Sequence, residues 1–348
     1  MSAQFDFDAY FRSKPAILAP MEDVTDAVFR KICRDRGADL CFTEFVNVEG
    51  LLRGCKNAAH KIDLEPGDHP TVIQIYGADA ERLAEAAEVA ERAQPVWIDV
   101  NCGCWVPKIA RRGAGAGWLR DPDAMVAMAK MLVERVSLPV TVKTRIGYEG
   151  EVHAGTGMIV GTASPENPPI LELARRLEDV GVRALTLHCR TARMGHSGQA
   201  DWSWARRVRE VVSMPVLVNG DVKSADDAER AMRETGCEGV MIGRHAIDHP
   251  WIFREVRARL DRGETVAPPT IVERFATCRE HLAAMVAERG EARAVRAMRR
   301  YYPGYLHGVH GGAVARRELN TTDTVEGVLA LFERLEARAR LESPAAAA

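Results

Sequence analysis

Val96-Trp97-Ile98-Asp99-Val100-Asn101 is too short for a helix and apolar on both faces, and it opens directly into Cys102-Gly103-Cys104. Such a run reads as a strand covered by helices. Seven more segments share the pattern: Ala16-Ile17-Leu18-Ala19-Pro20, Leu40-Cys41-Phe42-Thr43-Glu44, Thr71-Val72-Ile73-Gln74-Ile75-Tyr76, Val140-Thr141-Val142-Lys143, Ala184-Leu185-Thr186-Leu187-His188, Val216-Leu217-Val218-Asn219 and Gly239-Val240-Met241-Ile242-Gly243. Between them, residues 80–93, 122–136, 170–180 and 225–234 carry apolar positions at three-to-four spacing, the mark of amphipathic helices. Repeated strand-helix alternation predicts an α/β chain folded as a parallel (β/α)8 TIM barrel, not an open sheet. After Pro268-Pro269 the strand signal stops, and 272–287 and 325–340 read as helices. The expected division is a barrel over 1–262 and a small helical domain over 263–348 with a disordered alanine-rich tip.

At 348 residues and 47% hydrophobic, the chain can bury a large core. No stretch is long and apolar enough to span a bilayer, and Met1-Ser2-Ala3-Gln4-Phe5-Asp6 lacks the layout of a secretory signal, so a soluble cytoplasmic protein is expected. The 8 cysteines form no Cys-x-x-Cys pair and read as reduced thiols, not as a disulfide framework or zinc ribbon. His153, His196, His245 and His249 lack metal-ligand spacing, and no metal site is predicted. A formal net charge of −2 gives no global pull toward nucleic acid, so any such binding must rest on local basic patches.

Active sites of this fold gather at the carboxyl ends of the strands. Those ends carry Pro20-Met21, Glu44, Gln74, Asn101 with Cys104, Lys143, His188 with Arg190, Asn219-Gly220-Asp221 and Gly243-Arg244. The last two groups follow strands seven and eight, where a glycine turn and a guanidinium commonly hold a phosphate. Lys143, Gln74 and His188 would then form a polar ring toward the barrel centre, as a flavin mononucleotide requires. Cys104, at the mouth of a basic and glycine-rich loop (Lys108, Arg111, Arg112, then Gly113-Ala114-Gly115-Ala116-Gly117), is placed for proton or nucleophile chemistry on an anionic substrate. The competing reading makes Cys102 and Cys104 small buried hydrophobes.

Ala19-Pro20-Met21-Glu22-Asp23-Val24-Thr25-Asp26, Asn101-Cys102-Gly103-Cys104, Val142-Lys143-Thr144-Arg145, His188-Cys189-Arg190-Thr191 and Asp201-Trp202 resemble the flavin-dependent tRNA-dihydrouridine synthases. Asn219-Gly220-Asp221-Val222 and Val240-Met241-Ile242-Gly243-Arg244 extend the resemblance from about Pro15 to Glu255, and more weakly into the tail. The resemblance implies an oxidoreductase in which NADPH reduces bound FMN, a hydride passes to C6 of a uracil ring and a cysteine protonates C5. Cys104 matches that cysteine. It further implies that Pro20, Met21 and Glu22 line the flavin, that Gln74, Lys143 and His188 approach its ring, and that Asn219, Gly220, Asp221, Gly243 and Arg244 hold the ribityl chain and phosphate. Asn101 would orient the uracil.

The uracil must leave the RNA stack to reach a flavin, so basic surface should flank the barrel mouth. Candidates are Lys108, Arg111, Arg112, Arg190 and Arg193, with a helical stripe of Arg293, Arg296 and Arg300 interleaved with Tyr301, Tyr302 and Tyr305. A solvated helix face reads the same way, given Glu288, Glu291 and Glu318 nearby. Two departures from the family stand out. Trp105 replaces the usual proline after the cysteine, and a glycine- and proline-rich insertion spans Tyr148 to Pro169. Placed at the top of strand five, that insertion either reaches substrate or is a loop without a role. Three functions stay open: a uridine reductase acting on tRNA or on rRNA, a small-molecule FMN oxidoreductase such as a dihydroorotate dehydrogenase, and a non-catalytic flavin-barrel RNA binder. The sequence suggests no protein partner and no membrane contact.

Overall fold

Eight parallel strands close on one another: Ala16–Leu18 (β1), Leu40–Phe42 (β2), Thr71–Tyr76 (β3), Ile98–Cys102 (β4), Val140–Arg145 (β5), Ala184–His188 (β6), Val216–Asn219 (β7) and Gly239–Ile242 (β8). Each pairs with the next in sequence, and β8 pairs with β1 to seal the barrel. The computed structural model describes residues 5–65, 67–148 and 169–342, together with two short strands at 151–152 and 159–160. Those two strands, Glu151–Val152 and Ile159–Val160, pair antiparallel within the insertion after β5. The rest of that insertion and the alanine-rich tip lie outside the described residues. Among the described residues, no helix is long and apolar enough to cross a membrane.

Period-two alternation sorts the strands into two packed layers. Outward-facing Leu18, Ile73, Val100, Val142 and Val240 pack under the surrounding helices. Inward-facing Ile17, Leu40, Phe42, Val72, Ala184, Leu217 and Met241 fill the barrel itself. The helix Phe7–Arg12 plugs the amino-terminal end, and Phe7 meets Trp97 edge-on at 5.1 Å between ring centroids. Burying each such phenylalanine contributes about 1.5–3 kcal/mol. That apolar plug leaves the opposite, carboxyl end of the barrel for polar side chains. β4 begins at Ile98, two residues later than the sequence pattern suggests, because Trp97 belongs to the plug.

The predicted helices form as Ala80–Glu91, Pro122–Arg135, Pro169–Asp179 and Ala225–Thr235. Asp79, Asp121 and Ser224 cap three of them by accepting from backbone N–H groups three residues on. Beyond Gly263 the chain is helical at Ile271–Arg289, Glu291–Met298, Tyr302–Tyr305, Gly312–Thr321 and Val325–Glu342. This tail packs on the barrel helix Ala27–Arg34, where Phe29 lies 5.1 Å from Tyr301 and 5.8 Å from His281 between ring centroids. Three contacts tie it to the loop after β1: Arg289 pairs with Asp26 at 2.9 Å, Tyr301 Oη donates to the Val24 carbonyl at 3.1 Å, and Arg300 donates to the Asp23 carbonyl.

Candidate active site

A cavity of about 800 Å³ opens at the carboxyl end of the barrel, large enough for a cofactor-sized ligand. Pro20, Met21 and Glu22 after β1, Asn101 on β4 and Cys104 after it, Lys143 on β5, His188 closing β6 and Arg190 after it, Asn219 closing β7 with Gly220 and Asp221 after it, and Gly243 and Arg244 after β8 all line it. Strand ends far apart in sequence thus meet around one space.

Gln74 is not on that wall. Fully buried inside β3, it spends its amide on neighbouring strands: Nε2 donates to Asp99 Oδ2 at 2.6 Å, and Oε1 accepts from Asn101 Nδ2 at 2.8 Å. Asn101 Oδ1 in turn accepts the backbone N–H groups of Gly103 at 3.0 Å and Cys104 at 2.9 Å. At the other end Thr141 donates to Asp99 Oδ1 at 2.5 Å. Strand register explains the relay, because Gln74 lies beside Asp99 and Asp99 beside Thr141 in the sheet. The amide expected at the flavin edge is thus engaged with Asp99 and Asn101 inside the barrel wall. Asn101 holds the cysteine loop with the same amide that was expected to orient uracil. Burial pushes the Asp99 carboxyl up to about 7, against the lowering effect of Thr141 and Gln74.

Cys104 is half-buried, and that burial pushes its thiol up, with Arg145 and Lys143 pulling the other way. A protonated thiol is what a general acid must be at neutral pH. Cys102 is fully buried in the outer shell of the barrel, as a small hydrophobe. The glycine-rich run is not a flexible loop. Its residues 114–119 are buried, and Gly115 packs so closely that a Cβ there would stand 2.8 Å from the Cys104 carbonyl and 3.0 Å from its Cβ. Gly115 also has φ +57°, which glycine adopts at little cost.

Lys143 Nζ donates to Asn219 Oδ1 at 3.1 Å, while Asn219 Nδ2 donates to the Met241 carbonyl at 2.8 Å. Burial and the neighbouring Arg145 bring the Lys143 ammonium down to about 8. Burial, with Lys143, Arg145 and Arg190 around it, holds His188 neutral, far below its ordinary value. Arg190, expected on RNA phosphates, is buried: it donates to the Ser197 and Gly198 carbonyls and to Asp221 at 2.6 Å. That network holds Asp221 at φ +56° beside Gly220, where a Cβ would stand 3.0 Å from the His188 ring.

Arg145 was missed as a site residue, although period two puts it on the Lys143 face. It donates from Nε to the Gly103 carbonyl at 2.8 Å, and from one Nη to Thr191 at 2.8 Å and Gly195 at 2.9 Å. His196 and Trp105, on the two loops that Arg145 joins, complete the rim. Lys108, Arg111 and Arg112 are exposed beyond the cavity edge. On the tail Arg293, Arg296 and Arg300 are exposed as expected, but Tyr301, Tyr302 and Tyr305 are buried core residues, not stacking surfaces for RNA.

A closed parallel barrel with a thiol, an amide and a desolvated lysine around one deep mouth has the organisation of a barrel enzyme. Comparison with known proteins gives the family. The model of the dihydrouridine synthase family matches residues 17–340, and the chain belongs to that family. Relatives include a probable tRNA-dihydrouridine synthase 1 of Synechocystis sp., 32% identical over 93% of this chain and 86% of its own length. The tRNA-dihydrouridine synthase B of Pseudomonas putida is 33% identical over 89% of this chain and 88% of its own. A probable tRNA-dihydrouridine synthase of Aquifex aeolicus is 35% identical over 72% of this chain and 75% of its own.

Proposed function

We propose that this protein is a tRNA-dihydrouridine synthase that uses NADPH and a bound FMN to reduce the C5=C6 bond of uridine. The observation that carries the reading is the placement of Cys104, its backbone held by the Asn101 amide, on the wall of a cavity that Lys143, Lys223 and Arg244 also line. The donor set fits FMN. Arg244, with a side chain 54% exposed and only a 3.9 Å contact to Asp221, can take a phosphate together with Lys223, while Lys143 offers positive charge to an anionic ring. Asp221 is already neutralised by Arg190 and does not oppose that charge.

Bound there, the cofactor supplies the hydride that reaches C6 of the uracil. Cys104 donates its proton to C5, and Asn101 keeps the cysteine loop in register. Pro20, Met21 and Glu22, which line the cavity, would form the wall against the ring, with Glu22 tethered by Lys61 at 2.5 Å. Neutral His188 presents an uncharged edge. The division into a barrel over 1–262 and a helical RNA-binding domain over 263–348 goes with this reading, as does work on cytoplasmic tRNA. The side chains of Lys108, Arg111, Arg293 and Arg296 make no ion pair or hydrogen bond among the described residues, and serve as phosphate contacts.

Changing Arg293 and Arg296 together to alanine should weaken tRNA binding several-fold and flatten the slope of log K against log salt by roughly one to two. Anisotropy titrations at several salt concentrations check it; an unchanged slope would remove the stripe from the interface. The lysine gives a pH prediction. Above about 8, Lys143 of the free protein has lost its proton and must regain it to offer the flavin a charged donor. FMN affinity should therefore stay level from pH 7 to that point and weaken above it, by up to about tenfold per pH unit. Lys143→Met should bind FMN more weakly and without that bend; coincident profiles from flavin fluorescence quenching would contradict the assignment.

The direct test incubates purified protein with FMN, NADPH and an unmodified tRNA transcript and reads nucleosides by mass spectrometry. Dihydrouridine that depends on both protein and NADPH supports the reading. NADPH oxidation by a small-molecule acceptor with no dihydrouridine would favour the small-molecule oxidoreductase instead.

A further inference from the structure

Trp105 is one of four exposed large hydrophobic residues among those described, and it follows the thiol directly on the rim of the cavity. Its indole is seated, not loose. The Gly195 backbone lies against the ring so closely that a Cβ there would stand 3.2–3.3 Å from three indole carbons, and His196 meets the indole at 5.7 Å and 85°. Both sides of that seat are fastened by one guanidinium, since buried Arg145 holds the Gly103 carbonyl on the tryptophan's loop and the Gly195 carbonyl beneath the ring. Even so, 37% of Trp105 remains in water.

Apolar area fixed in place yet left wet lowers the ordering cost of a ligand that covers it. The chemistry around it says which ligand. Val106 beside it is 40% exposed, and Lys108, Arg111 and Arg112 follow within two turns of chain, exposed and with no side-chain partner among the described residues. An aromatic face next to unpaired cations is the combination that takes single-stranded nucleic acid, by stacking bases and pairing phosphates. The uracil itself must enter the cavity to meet Cys104, which leaves the rim for a neighbouring nucleotide.

We propose that Trp105 is a stacking platform for the nucleobase next to the uridine being reduced, holding the RNA strand open while the target occupies the cavity. The proposal rests on the uridine-reductase reading above. Stacking on an aromatic side chain is sequence-tolerant, so the platform favours unstacked single-stranded segments without dictating the neighbouring base.

The test uses the FMN-loaded protein with Trp105 changed to phenylalanine, leucine and alanine. Leucine keeps an apolar group on Gly195 but has no ring face. Steady-state dihydrouridine formation on a tRNA transcript should show KM raised by about tenfold or more for leucine and alanine. Phenylalanine should recover most of that loss, and kcat should move less than KM. A transcript carrying 2-aminopurine beside the mapped dihydrouridine should lose fluorescence on binding the wild type, and not on binding the leucine variant. Equal KM for leucine and phenylalanine, or quenching indifferent to the substitution, would overturn the platform while leaving the uridine-reductase reading intact. No dihydrouridine from the wild type on any RNA would overturn both. If the alanine variant fails to retain flavin, the leucine and phenylalanine pair decides.

Discussion

Cys104→Ala should lower dihydrouridine formation by roughly a hundred- to ten-thousandfold, the range that a positioned general acid contributes. The reasoning begins with burial. A thiol pushed above its ordinary value stays protonated through neutral pH and is available as the donor to C5. Alanine keeps the Asn101 clamp, which goes to the backbone N–H, and gives up only the contact of the sulfur with the Val106 N–H. FMN should remain bound and the loss should fall on kcat. Cys102→Ala is the matched control: that side chain sits in the outer packing shell, so its loss should be felt in stability before turnover. Pre-reduced enzyme mixed with tRNA reports the step directly. Wild-type rates of flavin reoxidation and product formation in Cys104→Ala would remove the thiol from the mechanism.

The second large effect comes from a residue that touches no substrate. Asp99→Leu leaves the Gln74 amide and the Thr141 hydroxyl without their acceptor in a dry barrel, at about 1–3 kcal/mol for each unpaired group. A stability loss of about 3 kcal/mol is expected, together with a fall in kcat of up to about a hundredfold as the Asn101 clamp on the cysteine loop loosens. Asp99→Asn should keep most activity. Its oxygen can still accept from Gln74, and its amide nitrogen can donate to Thr141, whose hydroxyl turns to accept. The two variants also differ in their response to pH. Folding raises the Asp99 carboxyl to about 7, so between its ordinary value near 4 and 7 the folded state binds the extra proton. Stability should therefore fall as pH rises through that window, and Asp99→Asn should remove this part of the fall. Denaturant melts at several pH values check it. Leucine and asparagine variants of equal stability and equal kcat would contradict the relay.

Much of the site was legible because barrel strands put function at their ends. Apolar runs marked the strands, and the polar residue closing each run marked the mouth. The partners of Gln74 were invisible in one strand. Its fate depends on which residues of the adjacent strand lie level with it, and Asp99 and Asn101 lie there. Arg145 was legible in principle, two residues from Lys143 on the same strand. Arg190 was not, since a buried guanidinium satisfied by loop carbonyls looks, in sequence, like any surface arginine. Tyr301, Tyr302 and Tyr305 show the same limit: aromatics among arginines fit an RNA surface as well as a helix packed on Phe29. The glycine run after Cys104 looked flexible, yet Gly115 packs against Cys104 and Gly117 against the Ala110 carbonyl.

Nucleoside mass spectrometry on separated tRNA and rRNA, from cells with and without this gene, tests the central claim most directly. A uridine carrying two extra hydrogens should disappear from tRNA when the gene is lost and return with the wild-type gene, but not with Cys104→Ala. Its disappearance from rRNA alone would replace the substrate. Unchanged dihydrouridine in both fractions, in cells with no second enzyme of this kind, would contradict the account.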